Sequence, residues 1–477
     1  MRPRSPSTIR RIALAFPRVK YRTGDPPLGL AYLAAVLRRD LPALDVRIVD
    51  GTFLGGERRF IQAVRELRAD VVGVFTDHLS LPVACSLARV CRADGSFVLA
   101  GGPAATIEPE RLVPPFDAAL RGEGEALLGP IIERVLSRAE LDDVPNLVLR
   151  SDDSTARHTP AEWAGPDLDL LPLPAWDLLD MQRYLRLWPY LDSTNLRLTG
   201  TNLVASRGCS WQCAHCQPAL SSLYGNRVRR RSPENVVAEV EELQRRYGVE
   251  GVFFHDDTLT ANQRWLTELC DRLCQLTRPV VWGCNSRADL ITPELVRVMA
   301  RAGLRSIHVG IEAGSARVRD EVLHKRLDLD RLQSALEDLA QHGVHALGFF
   351  MLGSPTETVA EMLETIALAR RLPLTEATFS LTSALPGTHL HARVEADPSF
   401  ELLDGEAIDY YNQRNFSEVD GHHGERTLRL LQAAALATFY VHPRRLGYVG
   451  SHLTTPHGRE KLGMKVARFL VPLLPMR

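Results

Sequence analysis

Between Ser206 and Pro218 the chain reads SRGCSWQCAHCQP, which places thiols at Cys209, Cys213 and Cys216. Cysteines at C-x3-C-x2-C spacing on one short loop point to metal chemistry, and the spacing narrows the choice of metal. A structural zinc site takes four ligands and usually draws on a second cysteine pair well downstream, which this chain lacks. His215 lies between two of the thiols, where its ring is poorly placed to act as the fourth ligand. A redox C-x-x-C opens a helix in a different βαβ setting and would leave Cys209 idle. Three thiolates can hold three irons of a 4Fe-4S cube and leave the fourth iron open to a substrate.

The loop follows the first of six apolar runs, NLVAS, GVFFHDD, VVWGCNSR, SIHVGIE, ALGFFML and ATFSLTS, with helical patterns between them. Over residues 196–390 this alternation predicts a partial (β/α)6 barrel, whose chemistry belongs at the carboxyl ends of its strands. Polar residues and glycines collect there. His255, Asp256 and Asp257 close the second run, Cys284 and Arg287 the third, Gly310, Glu312 and Gly314 the fourth, and Gly353 the fifth. Cys284 and His255, read as facing the barrel mouth, are candidates for acid, base or other side roles in catalysis.

Upstream, RRIALAF, DVRIVD, DVVGVFT, FVLAGG and DAALRGEGE alternate with helical patterns and predict a Rossmann-like α/β domain over residues 1–140. Its ligand belongs over the strand ends, where the loops TGDPPLG, TDHLSLP, GGPAAT and RGEGE gather. The acidic, proline-punctuated stretch 141–195 reads as a linker. Residues 391–477 read as mainly helical, with an irregular DGHHGE loop.

With 57 basic and 58 acidic residues the chain has no global field to recruit nucleic acid or an anionic membrane, so a small molecule is the expected substrate. The isolated run RVRRR, Arg227 to Arg231, reads as ion pairs at the next helix or contacts with the neighbouring domain rather than a nucleic-acid site. IALAF is too short for a signal segment, and LRLLQAAALATFYV and VARFLVPLLPMR are too short to span a membrane. The expected location is the cytoplasm. Eight cysteines are sparse for 477 residues, so the thiols are expected to be reduced.

The cysteine loop after a first barrel strand, followed by HDD, NSR, GIEAGS and LGSPTET at successive strand ends, resembles the radical S-adenosylmethionine (radical SAM) superfamily. That resemblance implies a 4Fe-4S cluster on Cys209, Cys213 and Cys216, with SAM chelating the open iron and cleaved to a 5'-deoxyadenosyl radical. It implies that Asp256 and Asp257 accept from the SAM amino group, that Arg287 pairs with its carboxylate, and that Glu312, flanked by Gly310 and Gly314, meets the ribose. Gly353 and its neighbours would reach the adenine. A flavodoxin- or ferredoxin-type electron donor is implied as a partner.

PPLGLAYLAAVLR, GGPAAT and RGEGE ahead of LPLPAWDLL and the cysteine loop, with TFYVHPRRL in the tail, are similar to radical SAM proteins carrying an N-terminal cobalamin-binding domain, the class B methylase-like family. The resemblance runs from about Ile12 to about Pro443. It implies cobalamin over Thr76, His78, Gly101, Gly102, Gly122 and Glu123, with His78 at the lower side of cobalt as ligand or as partner to a bound water. Two SAM molecules would serve one cycle, the first methylating cobalamin and the second making the radical. The chain lacks a D-x-H-x-x-G motif, as such methylases commonly do, and has Ala104 where relatives often show histidine. Some relatives do not methylate, so a radical dehydratase, cyclase or rearrangement enzyme, for example on a sugar or aminocyclitol, is the competing expectation. A cluster-bearing sensor or cobalamin carrier would leave the SAM-site loops without a purpose.

Overall fold

The computed structural model describes residues 10–463 apart from 21, 152–154, 163–164, 189–193, 195, 217, 226, 404–413, 420–423, 457 and 461. Two compact units emerge, Met1–Leu187 with Pro218–Arg231, and Trp188–Gln217 with Ser232–Arg477.

The first unit is built on strands β1 (Arg11–Phe16), β2 (Asp45–Asp50), β3 (Val71–Phe75), β4 (Phe97–Gly101) and β5 (Ala118–Leu120), joined by helices α1 (Leu28–Asp40), α2 (Glu57–Glu66), α3 (Leu81–Ala93) and α4 (Pro103–Ile107). These five strands are parallel in the order β2-β1-β3-β4-β5. Both faces are buried: Ile12, Leu14 and Phe16 enter one core while Ala13 and Ala15 enter the other, which is why the strands read as unbroken apolar runs. Reversal of the strand order between β2-β1 and β1-β3 opens a crevice at the carboxyl ends, the usual ligand position in such sheets.

Past α5 (Leu128–Ser137), the stretch expected to be a linker adds two antiparallel strands, β6 (Leu147–Arg150) on β5 and β7 (Ala156–His158) on β6. Its proline-rich part is also not free. Leu168 and Leu171 pack on Tyr32 and Val36 of α1, Ala175 donates its N–H to Ala31 O, and Tyr184 of α6 (Met181–Leu187) donates its hydroxyl to Asp50. The unit also contains α7 (Pro218–Tyr224) and the short strand β10 (Arg229–Arg230).

The second unit opens with β8 (Gly200–Leu203) and the short β9 (Ser206–Arg207), then β11 (Gly251–Phe254), β12 (Val281–Ser286), β13 (Leu304–Glu312), β14 (His345–Leu352) and β15 (Glu376–Leu381). Strands β8, β11, β12, β13, β14 and β15 pair in that order, all parallel, as the (β/α)6 pattern requires. The intervening helices are α8 (Pro233–Tyr247), α9 (Gln263–Leu273), α10 (Pro293–Arg301), α11 (Leu329–Gln341) and α12 (Val359–Arg371). Each begins on a side-chain cap written in the sequence, respectively Ser232, Asn262, Thr292, Asp328 and Thr358. The capping satisfies the first orphan N–H groups and fixes where each strand-end loop stops.

The tail is α13 (His389–Ala396), an antiparallel pair β16 (Phe400–Leu402) and β17 (Phe416–Glu418), then α14 (Glu425–Tyr440) and α15 (Pro443–Leu453). The strand pair was not expected in a mainly helical region, and Asp420 to His423 of the DGHHGE loop lie outside the described residues. The tail serves edge strand β15, because Gln432 Nε2 donates to Phe379 O at 2.7 Å and Tyr440 OH to Ala377 O at 3.5 Å. Arg445, 1% exposed, fixes α15 to the barrel by donating to the carbonyls of Ala369, Arg370, Leu372 and Leu374 at 2.5 to 3.3 Å. These carbonyls lie at or just beyond the negative end of α12, and the guanidinium stacks on Phe439 with 4.2 Å to the ring centroid.

Among the described residues no helix is long and apolar enough to cross a membrane. Because Arg445→Met would leave four carbonyls, three of them in buried contacts, without this donor, the substitution should lower the stability of the second unit by about 3 kcal/mol. Urea unfolding followed by fluorescence checks this, with Arg445→Lys recovering only part of the loss.

Candidate functional site

The backbone leaving β8 reaches the cysteine loop through β9 and Gly208, whose φ of +95° turns the chain in a way a side chain would resist. At the loop centre Ala214 donates its N–H to Leu323 O and accepts from Leu390 N–H, both at 2.9 Å, so the loop is held to the segment after β13 and to α13. Cys209, Cys213 and Cys216 are all partly exposed and free of disulfides. Burial pushes the Cys209 thiol up; burial and the neighbouring charges of Cys213, Cys209 and Asp257 push Cys216 to about 12. Burial thus disfavours the thiolate form of Cys209 and Cys216, a penalty that metal ligation offsets. Among the described residues no group of three His, Cys, Asp or Glu converges on a single ion. Three thiols on one short loop are the protein donor set of a cube that leaves one iron open.

The two carboxylates of HDD divide their work. Asp256 is fully buried and accepts from Ala205 N–H at 3.0 Å and from the Ser206 hydroxyl, clamping the backbone that enters the cysteine loop. Asp257 lies on the side of the thiols, its charge acting on Cys209 and Cys216. Burial raises Asp256 to about 6; burial and then the charge of Asp256 raise Asp257 to about 7.

Arg287 stands over Trp211 of the cysteine loop, its guanidinium carbon 5.0 Å from the ring centroid. Asp289 takes its Nε and Nη2 at 3.1 and 2.9 Å, and the carbonyls of Lys325 and Arg326 share Nη2 at 3.2 Å each. Nη1 alone is buried without a hydrogen-bond partner.

Glu312 adopts φ +68°, a left-handed conformation that costs a non-glycine residue energy. Lys325 Nζ lies 3.0 Å from its Oε1 and His215 Nε2 3.8 Å. Burial alone would raise the Glu312 carboxyl, but Lys325 and His215 outweigh it and hold it near 2. Gly310 permits this pair, since a Cβ there would collide with both Glu312 Oε1 and Lys325 Nζ. Gly314 and Gly353 answer packing demands: a Cβ on Gly314 would strike the backbone of α12 at Glu364, and Gly353, at φ +77°, presses against Leu428 of α14.

His255 lies edge-on to Phe253 at 5.3 Å; Phe253 meets His308 at 4.7 Å and His308 meets Phe349 at 5.8 Å, a chain of rings across β11, β13 and β14. Cys284 does not belong with them, contrary to expectation. It is fully buried beside Phe254, and its thiol, pushed well up by burial, lies within reach of Asp256 and of Cys270 on α9. Trp282, two residues away and so on the same face, donates Nε1–H to Ala302 O at the end of α10. Cys284 therefore faces the helix layer and not the barrel mouth.

In the first unit the expected ligand loops also separate into support and open surface. Thr76 is fully buried; its N–H and hydroxyl both donate to Gly101 O, at 2.7 and 3.0 Å, and its Oγ1 accepts from Ala105 N–H. It joins β3 to β4 and offers no free face to a ligand, a correction to its expected role. Gly102, at φ +101°, is needed by that clamp, since a Cβ would come within 3.0 Å of Thr76 O. Ala104, 2% exposed, donates its N–H to Thr76 O. Glu123 is likewise occupied, in an ion pair with Arg229 that packs on Gly165. Gly101 and Gly122 have open space where a Cβ would be, and His78 Nδ1 lies 3.7 Å from Glu108 Oε2. Of the RVRRR run, Arg229 serves Glu123, and Arg231 donates to Tyr32 OH at 3.2 Å.

A B12 binding domain model matches residues 19–131 and a Radical SAM superfamily model matches residues 203–369. The chain is a radical SAM enzyme carrying a B12-binding domain ahead of its catalytic barrel, and a 4Fe-4S cluster, SAM and cobalamin are the cofactors of those domains. It is 29% identical over 445 residues to an uncharacterized methyltransferase of Pyrococcus horikoshii, covering 91% of each chain. It is 26% identical over 413 residues to the cytidylyl-2-hydroxyethylphosphonate methyltransferase of Streptomyces wedmorensis, covering 76% of this chain and 77% of that one. Its fold resembles that of the radical S-adenosylmethionine methyltransferase TsrM of Kitasatospora setae, with a TM-score of 0.70 at 16% identity over 96% of this chain and 99% of the other.

Alanine at Cys209, Cys213 or Cys216 should abolish binding of the roughly four irons that anaerobic reconstitution otherwise delivers, read by iron assay and by the brown absorbance. Asp256 and Asp257 should behave differently. Asp256→Ala frees the loop entrance and lowers iron content, whereas Asp257→Asn keeps the irons and weakens SAM binding about tenfold, the loss of one charge-assisted hydrogen bond.

Proposed function

We propose that this enzyme transfers a methyl group from methylcobalamin to a carbon of a small biosynthetic substrate after radical abstraction of hydrogen. Bound in their domains, the cluster and SAM supply a 5'-deoxyadenosyl radical, and cobalamin supplies the methyl group. The observation that supports methylation over other radical outcomes is the near end-to-end likeness to a relative named a methyltransferase, through both the B12-binding and the radical SAM regions.

The protein's own residues hold and shield these groups. Cys209, Cys213 and Cys216 take three irons. Asp257, beside the thiols, accepts from the SAM ammonium, and Arg287 offers Nη1, the nitrogen that its other partners leave over, to the SAM carboxylate. Glu312, held ionised by Lys325, accepts from the ribose hydroxyls. Asp256 keeps the cysteine loop in register and touches no cofactor. The ring chain from His255 to Phe349 lines the inner face of the barrel without offering a strong nucleophile, which suits a radical that must not be quenched. In the first unit Gly101 and Gly122, with open space beside them, would admit the corrin, and His78, beside Glu108, is the residue offered to it as a ligand or as partner to a bound water. Electrons come from an external flavodoxin- or ferredoxin-type donor.

Turnover of the cobalamin-loaded enzyme with SAM, reductant and substrate candidates tests the reading. S-adenosylhomocysteine and 5'-deoxyadenosine should form in equal amounts with the methylated product. If 5'-deoxyadenosine alone appears and cobalamin changes neither rate nor product, the enzyme is a radical lyase, cyclase or rearrangement catalyst and not a methylase.

A further inference from the structure

The chain as a whole is nearly neutral, but its charge is unevenly placed. From Glu425 to Arg477 it carries nine arginines and lysines against two glutamates and no aspartate, a balance of +7, while the remainder stands at −8. Arg445 is buried and Arg429 pairs with Glu425, whereas Arg426, Arg444 and Arg459 are exposed. A local excess of this kind makes a positive surface that the total charge conceals.

The helices of the same region are apolar on the outside as well as the inside. Helix α14 buries Leu428, Gln432, Ala435, Leu436 and Phe439. On its opposite side Leu430, Ala434, Ala437 and, at its C-cap, Val441 form one exposed stripe, with Arg426 a turn ahead of it. A helix that merely covers a barrel carries polar residues there. Helix α15 repeats the pattern: it buries Arg445 and His452 and leaves Leu446 and Leu453, two turns apart, in the open. Leu430, Val441, Leu446 and Leu453 are 52 to 68% exposed, and they are four of the ten large apolar side chains left exposed among the described residues. Beyond α15 the sequence continues both features, with Lys461, Lys465 and Arg468 ahead of the apolar run FLVPLL.

Apolar side chains ringed by cations on the outer face of a helix suit an interface that is apolar beneath a layer of negative charge. We propose that the outer face of α14 and α15 docks this enzyme on a bilayer bearing anionic headgroups, with Leu430, Val441, Leu446 and Leu453 entering the headgroup layer and Arg426, Arg444 and Arg459 meeting its charge. Docking is peripheral, since no helix among the described residues is long and apolar enough to cross. A second copy fits this face poorly, because two regions of +7 repel. The electron donor belongs elsewhere: it must reach a cluster at the carboxyl ends of the strands, whereas Arg445 ties α15 to Leu372 and Leu374, just ahead of β15. The inference is independent of the chemistry at the barrel mouth and of methyl transfer.

The test is co-sedimentation of the reconstituted full chain with sucrose-loaded vesicles of phosphatidylcholine, alone or with about one quarter phosphatidylglycerol, at low and at high salt. Each cation held near an anionic surface adds about fivefold to binding, so the anionic vesicles should bind at least about tenfold more tightly than the neutral ones. Binding should fall as salt rises, because exposed charges are screened. Leu446→Asp with Leu453→Asp, and separately Arg426→Gln with Arg444→Gln, should each weaken binding to the anionic vesicles about tenfold or more. All four positions are exposed, so melting temperature, iron content and substrate-free SAM cleavage should stay unchanged. The proposal is overturned if the anionic vesicles are not bound, if neutral and anionic vesicles bind alike, or if either pair of substitutions leaves binding unchanged. A mass by light scattering that falls from dimer to monomer in the aspartate variant would overturn it in favour of an interface between copies of this chain.

Discussion

Negative charge crowded into a dry space governs the barrel mouth. Asp256 acts on Asp257, Asp257 acts on Cys209 and Cys216, and burial raises all four because each charged form lacks solvent. Glu312 is the exception, and the reason is Lys325 at 3.0 Å. The cations present, Lys325 and Arg287, are fixed in place by backbone: Lys325 N–H donates to Arg319 O, and the carbonyls of Lys325 and Arg326 receive Arg287. Irons and a sulfonium cofactor would bring the positive charge that favours the ionised forms of these groups. A site balanced before loading would have less to gain from either.

The chain achieves this by separating support from contact at neighbouring positions. Asp256 clamps while Asp257 faces the thiols; Thr76 and Gly102 brace the loop that Gly101 leaves open. Gly310 makes room for an ion pair, and Gly314 makes room for a helix. In each case adjacent or near-adjacent residues of one motif point to different faces, so the motif encodes both the fold of the loop and its chemistry.

That arrangement also explains what a reader of the sequence can and cannot recover. The alternation of apolar runs and capped helices was legible because parallel strands buried on both faces are uninterrupted and their helices begin at Ser, Thr, Asn or Asp. The same continuity hides phase: the apolar VVWGC of β12 does not disclose which residues face inward, so Cys284 reads as facing the mouth when it faces the helix layer. Strands β6 and β7 escaped notice because four and three residues carry too little periodicity, and antiparallel pairing to an edge needs no crossover helix. Lys325 was invisible because its position depends on a π-helical turn, Val318–Val322, and on left-handed His324 and Arg326 at φ +52° and +43°, none of which its local sequence announces.

An open sheet of six strands has two edges, and a strand whose carbonyls lack partners is a template for pairing with another molecule. At β15 the edge-facing carbonyls of Phe379 and Ala377 are taken up by Gln432 and Tyr440, two side chains on α14. Helix α14 thus acts as a seal on the sheet, using hydrogen bonds from side chains where a seventh strand would use backbone. The C-terminal region is in this sense part of the solubility of the barrel as well as of its shape, since a barrel without α14 would present β15 as an unpaired edge ready for intermolecular strand addition.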